Sequence, residues 1–222
     1  MIIFRSERID DWKKGREQIE LLKKKNKRTL IIHYSCESFF NLNGRTPRVT
    51  TICVKNKGNN TTKTFSIHIQ AQIVKKELCC ITDSDYDQLE KSMLKEFFKY
   101  LKSHLTYYWV HWNMKNLSFG FEAIANRCKI LGGYPREIED QFKIDLQDVL
   151  GRIYTFNFEK HEPNGQLLNL AQRNKISTRD ALKGKDEATA FENREYLKLQ
   201  MSTCRKVDII DRMEKTHILT PL

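Results

Sequence analysis

Thr29-Leu30-Ile31-Ile32-His33-Tyr34-Ser35-Cys36-Glu37-Ser38 is the stretch on which the fold turns. Its first six residues form a continuous β-branched and apolar run, the pattern of a strand covered on both faces. Such a strand belongs at the centre of a sheet with helices on either side. Upstream, Ile9, Trp12, Ile19 and Leu22 recur at helical spacing between residues 8 and 25, with Ser6 or Asp10 as an N-cap, which predicts an amphipathic lead-in helix. Lys23, Lys24, Lys25, Lys27 and Arg28 close it as a basic cluster. Residues 1–28 are therefore read as a basic amphipathic N-terminal helix and 29–222 as a single domain.

Downstream, residues 48–54 and 64–69 alternate in polarity around the turn-rich Lys57-Gly58-Asn59-Asn60, which predicts an antiparallel hairpin whose second strand runs to Ile69, with a continuation to Ala71 left open. From Asp83 to Leu105, Tyr86, Leu89, Met93, Phe97, Tyr100 and Leu101 trace one helical face after an Asp83-Ser84-Asp85 cap. Tyr107-Tyr108-Trp109-Val110-His111 then reads as a fourth strand, parallel to the first because a helix crosses between them. The rest reads as helical: 117–131 ending at Gly132-Gly133, 136–153, 167–173, and about 185–215 with a break near Asn193-Arg194. The last of these carries Leu197, Met201, Cys204, Val207 and Ile210 at intervals of three and four, and residues 177–182 read as a loop. The expected fold class is α/β, a mixed sheet with strands 1–3 antiparallel and strand 4 parallel, followed by a helical C-terminal half.

Lysine and arginine number 39 against 28 acidic residues, a net charge of +11, which favours a polyanionic partner. The six cysteines show no Cys-x-x-Cys pair and no secretory segment precedes them, so reduced, mostly buried thiols are expected. No apolar run approaches the about 18 residues of a membrane helix. A cytoplasmic location without a membrane partner is the expectation.

Three local patterns resemble the DEDD-type 3′ to 5′ exonucleases of the ribonuclease H-like superfamily. Residues 30–39 resemble a first strand ending in Asp-x-Glu-Thr, with Glu37 at the second carboxylate and Ser35 in place of the aspartate. Residues 110–116 resemble the second motif, a strand ending in His-Asn before a metal-binding aspartate, with Asn113 at the asparagine and Asn116 within a residue of the aspartate. Residues 166–190 resemble the closing segment. There Asp186 and Ala188-Thr189-Ala190 fit with a one-residue slip, and Thr178 or Arg179 replaces the histidine.

The resemblance implies a site in which Glu37 and Asp186 hold Mg²⁺ or Mn²⁺, and the active form of such a site would take His111 as its base. Two-metal hydrolysis needs several converging carboxylates, and Ser35 and Asn116 are not carboxylates. A degenerate site is therefore the leading expectation, although Asp145 or Glu122 is available as a relocated ligand. Lys115, Arg127, Lys129, Arg205 and Lys206 are candidate phosphate contacts, the last two behind Ser202-Thr203 as an N-cap pair, and Trp112 and Tyr134 are candidate stacking platforms. His33 and His68 lie within expected strands with no spacing that implicates them. The first functional expectation is a protein that binds DNA or RNA, as a single strand or an end, without necessarily cutting it. The second is an active metal-dependent nuclease. The third is a subunit or regulator with a protein partner, because His-Trp-Asn-Met followed by Phe-Gly-Phe resembles uncharacterised bacterial proteins, antiviral defence systems among them.

Overall fold

The computed structural model describes residues 5–40, 42, 44–115, 118–155 and 158–219. Five strands form one mixed sheet: β1 (Thr29–Cys36), β2 (Val49–Asn56), β3 (Thr61–Ser66), β4 (Tyr108–His111) and β5 (Lys143–Asp145). Their spatial order is β3-β2-β1-β4-β5. β1, β2 and β3 pair antiparallel, whereas β4 runs parallel to β1 and β5 parallel to β4. The α/β class, the antiparallel first three strands and the parallel fourth thus agree with the sequence pattern. The fifth strand does not follow from it.

The central position of β1 follows from its composition. Leu30, Ile32 and Tyr34 face one side, where α3 (Asp83–Lys102) supplies Leu89, Met93 and Phe97. Ile31 faces the other, with Val149 and Leu150 of α5 (Leu146–Tyr154) and Val207 and Ile210 of α8 (Tyr196–Leu219). Each large apolar side chain buried fully in these layers contributes roughly 1.5–3 kcal/mol. The N-terminal helix α1 (Arg5–Lys24) buries Ile19 and Leu22 but leaves Ile9 and Trp12 exposed. It lies close on α5 at Gly15, where a Cβ would stand 2.8 Å from Ile153 Cγ1 and 3.1 Å from the Val149 carbonyl.

Three local expectations are corrected. The alternation of 64–69 suggested strand to Ile69, but β3 ends at Ser66 and α2 (Ile67–Ile73) begins there, placing His68 on a helix. The stripe through 136–153 hid β5, which turns directly into α5 with Asp145 as N-cap, its side chain accepting from Gln147 N at 3.0 Å. α3 is capped one residue earlier than expected, by Thr82 in a capping box with Asp85.

The helical remainder comprises α4 (Phe121–Ile130), α6 (Gln166–Arg173), α7 (Gly184–Glu192) and α8. The expected break falls at Arg194, whose φ is +60°. The expected start of α4 at Leu117 lies outside the described residues. Residues Ser202 and Thr203 lie well inside α8, so they cap nothing. The expected face of α8 is buried at Val207 and Ile210 and half-buried at Cys204, but its first two members, Leu197 and Met201, are exposed, while Ser202, Thr203 and Lys206 are buried instead.

Candidate functional site

The C-terminal ends of β1 and β4 open onto a cleft of about 860 Å³, closed from above by the starts of α6 and α7 and from one side by α8. Ligands of parallel sheets gather at such strand ends. β1 reaches past β4 here, while it stays paired with β2 as far as Cys36 opposite Val49. The register shifts between Ser35 and Cys36 because β2 carries an extra residue, Thr50, whose hydroxyl donates to the Ser35 carbonyl at 3.0 Å. His33 and Ser35, two residues apart on one face, form the floor.

α7 and α8 complete that floor with a buried ion pair. Lys206 Nζ lies 2.7 Å from Glu187 Oε2, with side-chain exposures of 8% and 6%. Ser202 Oγ donates to Glu187 Oε1 at 2.6 Å and accepts from Leu182 N at 2.9 Å. Beside them Ser35 Oγ and Thr203 Oγ1 share a hydrogen bond of 2.6 Å. Ser202, Thr203 and Lys206 are thus buried on α8 because each has a partner on β1 or α7. His33 differs. Its Nδ1 is buried without a hydrogen-bond partner among the described residues. Burial, then the Lys206 charge, then His111, hold its imidazole well below the usual histidine range, so it stands neutral in the floor.

The wall and rim are aromatic and basic. Trp112 and Phe119 line the cleft, Phe39 and Phe40 stand at its mouth, and Lys183 and Lys185 are exposed along the start of α7. Glu37 also borders the cleft, but both its oxygens are occupied. Arg45 Nη1 and Nη2 each donate to it at 2.6 Å, and the Arg48 amide donates at 2.9 Å. A fork of this geometry is the strong form of a charged hydrogen bond. The donor set therefore does not fit a pair of divalent ions: Glu37 is held by an arginine and Glu187 by a lysine, which leaves the exposed Glu192 as the one cleft carboxylate without a cation among the described residues.

The residues expected to form a catalytic centre are not brought together. Glu37 lines the cleft, Asp186 is exposed on α7 outside its lining, and the inward carboxylate of that turn is Glu187. His111 is buried and lines a separate cavity of about 380 Å³ with Lys115, Glu122, Asp145 and Asp148. Burial pushes its imidazole down to about 3. Its Nδ1 accepts from the Met114 amide at 3.3 Å and stands 3.9 Å from Asp145 Oδ2. Asn113 lines the cleft and donates its amide to Asp145 Oδ1 at 3.0 Å, while Asn116 lies outside the described residues.

Comparison with protein-family models, with curated proteins and with solved structures finds no match.

The candidate nucleic-acid contacts also separate. Lys206 and Trp112 reach the cleft. Lys115 is paired with Asp148 at 2.5 Å, and Arg205 approaches Asp180 at 3.9 Å. Arg127 is buried in an ion network, donating to Glu90 and Asp87, and ties α4 to α3. Lys129 and Tyr134 are exposed away from the cleft. The residues that sequence reasoning missed are His33, Glu187, Lys183 and Lys185, and Thr203 was read as a helix cap rather than as the partner of Ser35. For Glu187 a trace existed, because the closing motif fitted only with a slip of one residue.

Proposed function

We propose that the protein binds nucleic acid in the cleft at the end of β1, taking a single strand or an end, and does not hydrolyse it. The observation that carries this reading is the pairing of two of the three cleft carboxylates with cations, Glu37 with Arg45 and Glu187 with Lys206, beneath a rim of aromatic rings and lysines, with only the exposed Glu192 at the far end of α7 left over. Charge neutralised at Glu37 and Glu187 reduces repulsion toward phosphate and leaves the cleft short of the several converging carboxylates that metal-dependent cleavage requires. The rings offer stacking surfaces for bases, each worth about 1–3 kcal/mol when used. The strand order β3-β2-β1-β4-β5 supports a ribonuclease H-like scaffold for this binding.

Fluorescence anisotropy with a labelled single strand tests the reading. Affinity is expected to fall as salt rises. Lys183→Glu combined with Lys185→Glu is expected to weaken binding and flatten the salt slope by about 1.4, two contacts at roughly 0.7 each. Binding that ignores salt, or that is unchanged in this double variant, contradicts it.

A protein partner is a second reading, favoured by Leu197 and Met201, which are 66% and 45% exposed one turn apart on α8. Purification of a stable complex free of nucleic acid absorbance would support it.

A further inference from the structure

Glu77, Cys79 and Cys80 stand in the connection between α2 and α3, where Leu78–Cys80 makes a single 3-10 turn with Glu77 as its N-cap residue. All three are exposed. Cysteine is among the residue types most often buried, and the chain's other four conform: Cys53 and Cys128 are buried, and Cys36 and Cys204 half-buried. The sequence expectation of mostly buried thiols fails only at this adjacent pair. Two neighbouring cysteines held in solvent need another reason.

The turn gathers their ligand atoms. The Cys79 and Cys80 sulfurs lie 3.5 Å apart, and Glu77 Oε2 lies 3.7 Å from the first and 3.8 Å from the second. A tetrahedral zinc ion with Zn–S of roughly 2.3 Å and Zn–O of roughly 2.0–2.2 Å fixes its ligands roughly 3.8 Å apart for S···S and roughly 3.5 Å for S···O. The three separations already lie within a few tenths of an ångström of one face of that tetrahedron.

The surroundings suit a cation. Lys76, the nearest lysine in sequence, is taken by Asp85, and Glu77 has no basic partner among the described residues. Its carboxylate accepts from both thiols. From the turn between α7 and α8, Arg194 donates to the Leu78 and Cys79 carbonyls. That contact fixes the backbone of the turn.

We propose that Glu77, Cys79 and Cys80 form a binding site for a thiophilic divalent cation of the zinc class, with the fourth coordination position open to solvent. Binding is not a redox step: two S–H bonds are lost, two metal–sulfur bonds form, and two protons leave to solvent. Affinity therefore rises with pH. The hydrogen bond between the thiols, which raises Cys80 above the usual thiol range, is replaced by the shared metal. None of the three ligands lines the cleft, and the site stands independently of the nucleic-acid reading.

The test is titration of the reduced full-length protein with Co²⁺, followed by Zn²⁺. One equivalent of Co²⁺ is expected to give sulfur-to-cobalt charge-transfer absorption and the visible bands of a tetrahedral ion, both erased by one equivalent of Zn²⁺. Cys79→Ser with Cys80→Ser is expected to abolish the absorption. Glu77→Gln is expected to weaken affinity at least as much as the roughly 10- to 100-fold that follows loss of an outer-shell partner. Cys53→Ala with Cys204→Ala, which removes the other neighbouring thiol pair, is expected to change nothing. Absence of the absorption at one equivalent, or its survival in the Cys79/Cys80 double variant, overturns the assignment.

Discussion

Lys206 Nζ rests 2.7 Å from Glu187 Oε2 in the floor of the cleft, and neither side chain is more than 8% exposed. The pair joins α8 to α7 beneath the end of β1, so it is at once part of the scaffold and the electrostatic centre of the site.

Breaking a buried pair leaves an uncompensated charge and costs about 3–5 kcal/mol. Lys206→Met alone is expected to destabilise by that order, whereas Lys206→Met with Glu187→Gln keeps the Ser202 hydrogen bond, removes both charges and recovers most of the loss. Urea unfolding of the single and double variants measures the difference. Equal destabilisation in both would show that the two charges do not act as a pair.

Arg127 separates a structural role from a phosphate-binding one. Its guanidinium is spent on Glu90, itself fully buried, and on Asp87, with Arg48 joining at 3.4 Å. Arg127→Met is therefore expected to lower stability by about 3–5 kcal/mol while leaving nucleic-acid affinity unchanged at temperatures where the variant is folded. A large loss of affinity with little loss of stability would return Arg127 to the list of phosphate contacts.

His111 gives a pH dependence of known sign. Its folded imidazole lies at about 3, below the unfolded reference near 6.5. Above about 6.5 both states are neutral and the full stability is present. As pH falls toward about 3 the unfolded chain binds a proton that the folded chain refuses, and stability drops by about 1.4 kcal/mol per pH unit. His33, lowered by burial, acts in the same direction. His111→Phe is expected to flatten the profile by one such slope between roughly pH 6 and roughly pH 5. Parallel profiles for the two proteins would contradict it. A histidine that stays neutral across this range is also unavailable as a base that must alternate its charge near pH 7.

What could be read from the chain follows from where each residue's partners lie. β1, the hairpin and the α3 crossover are legible because their apolar patterns are local and long. β5 is three residues, Lys143, Ile144 and Asp145, paired only to β4, and no period exists in so short a strand. α8 misled for a related reason. Leu197 and Met201 look like its core face, but Ser35 and Glu187 supply hydrogen-bond and ionic partners that let Thr203, Ser202 and Lys206 go inside instead. Glu37 was recognisable as a residue at the site's edge, yet its occupation by Arg45 depends on the fold of the loop between β1 and β2. Glu187 was displaced by one position because helix phase, rather than residue type, decides which acidic side chain of α7 turns inward.

The most direct test of binding without cutting is to incubate an end-labelled single strand with the protein in Mg²⁺ and in Mn²⁺, following complex formation and strand length in the same samples. Complex formation at low salt with the strand left at full length, in both metals, is the expected result. Metal-dependent shortening of the strand that disappears in Glu187→Gln would show that the buried carboxylate serves catalysis, and would contradict the account.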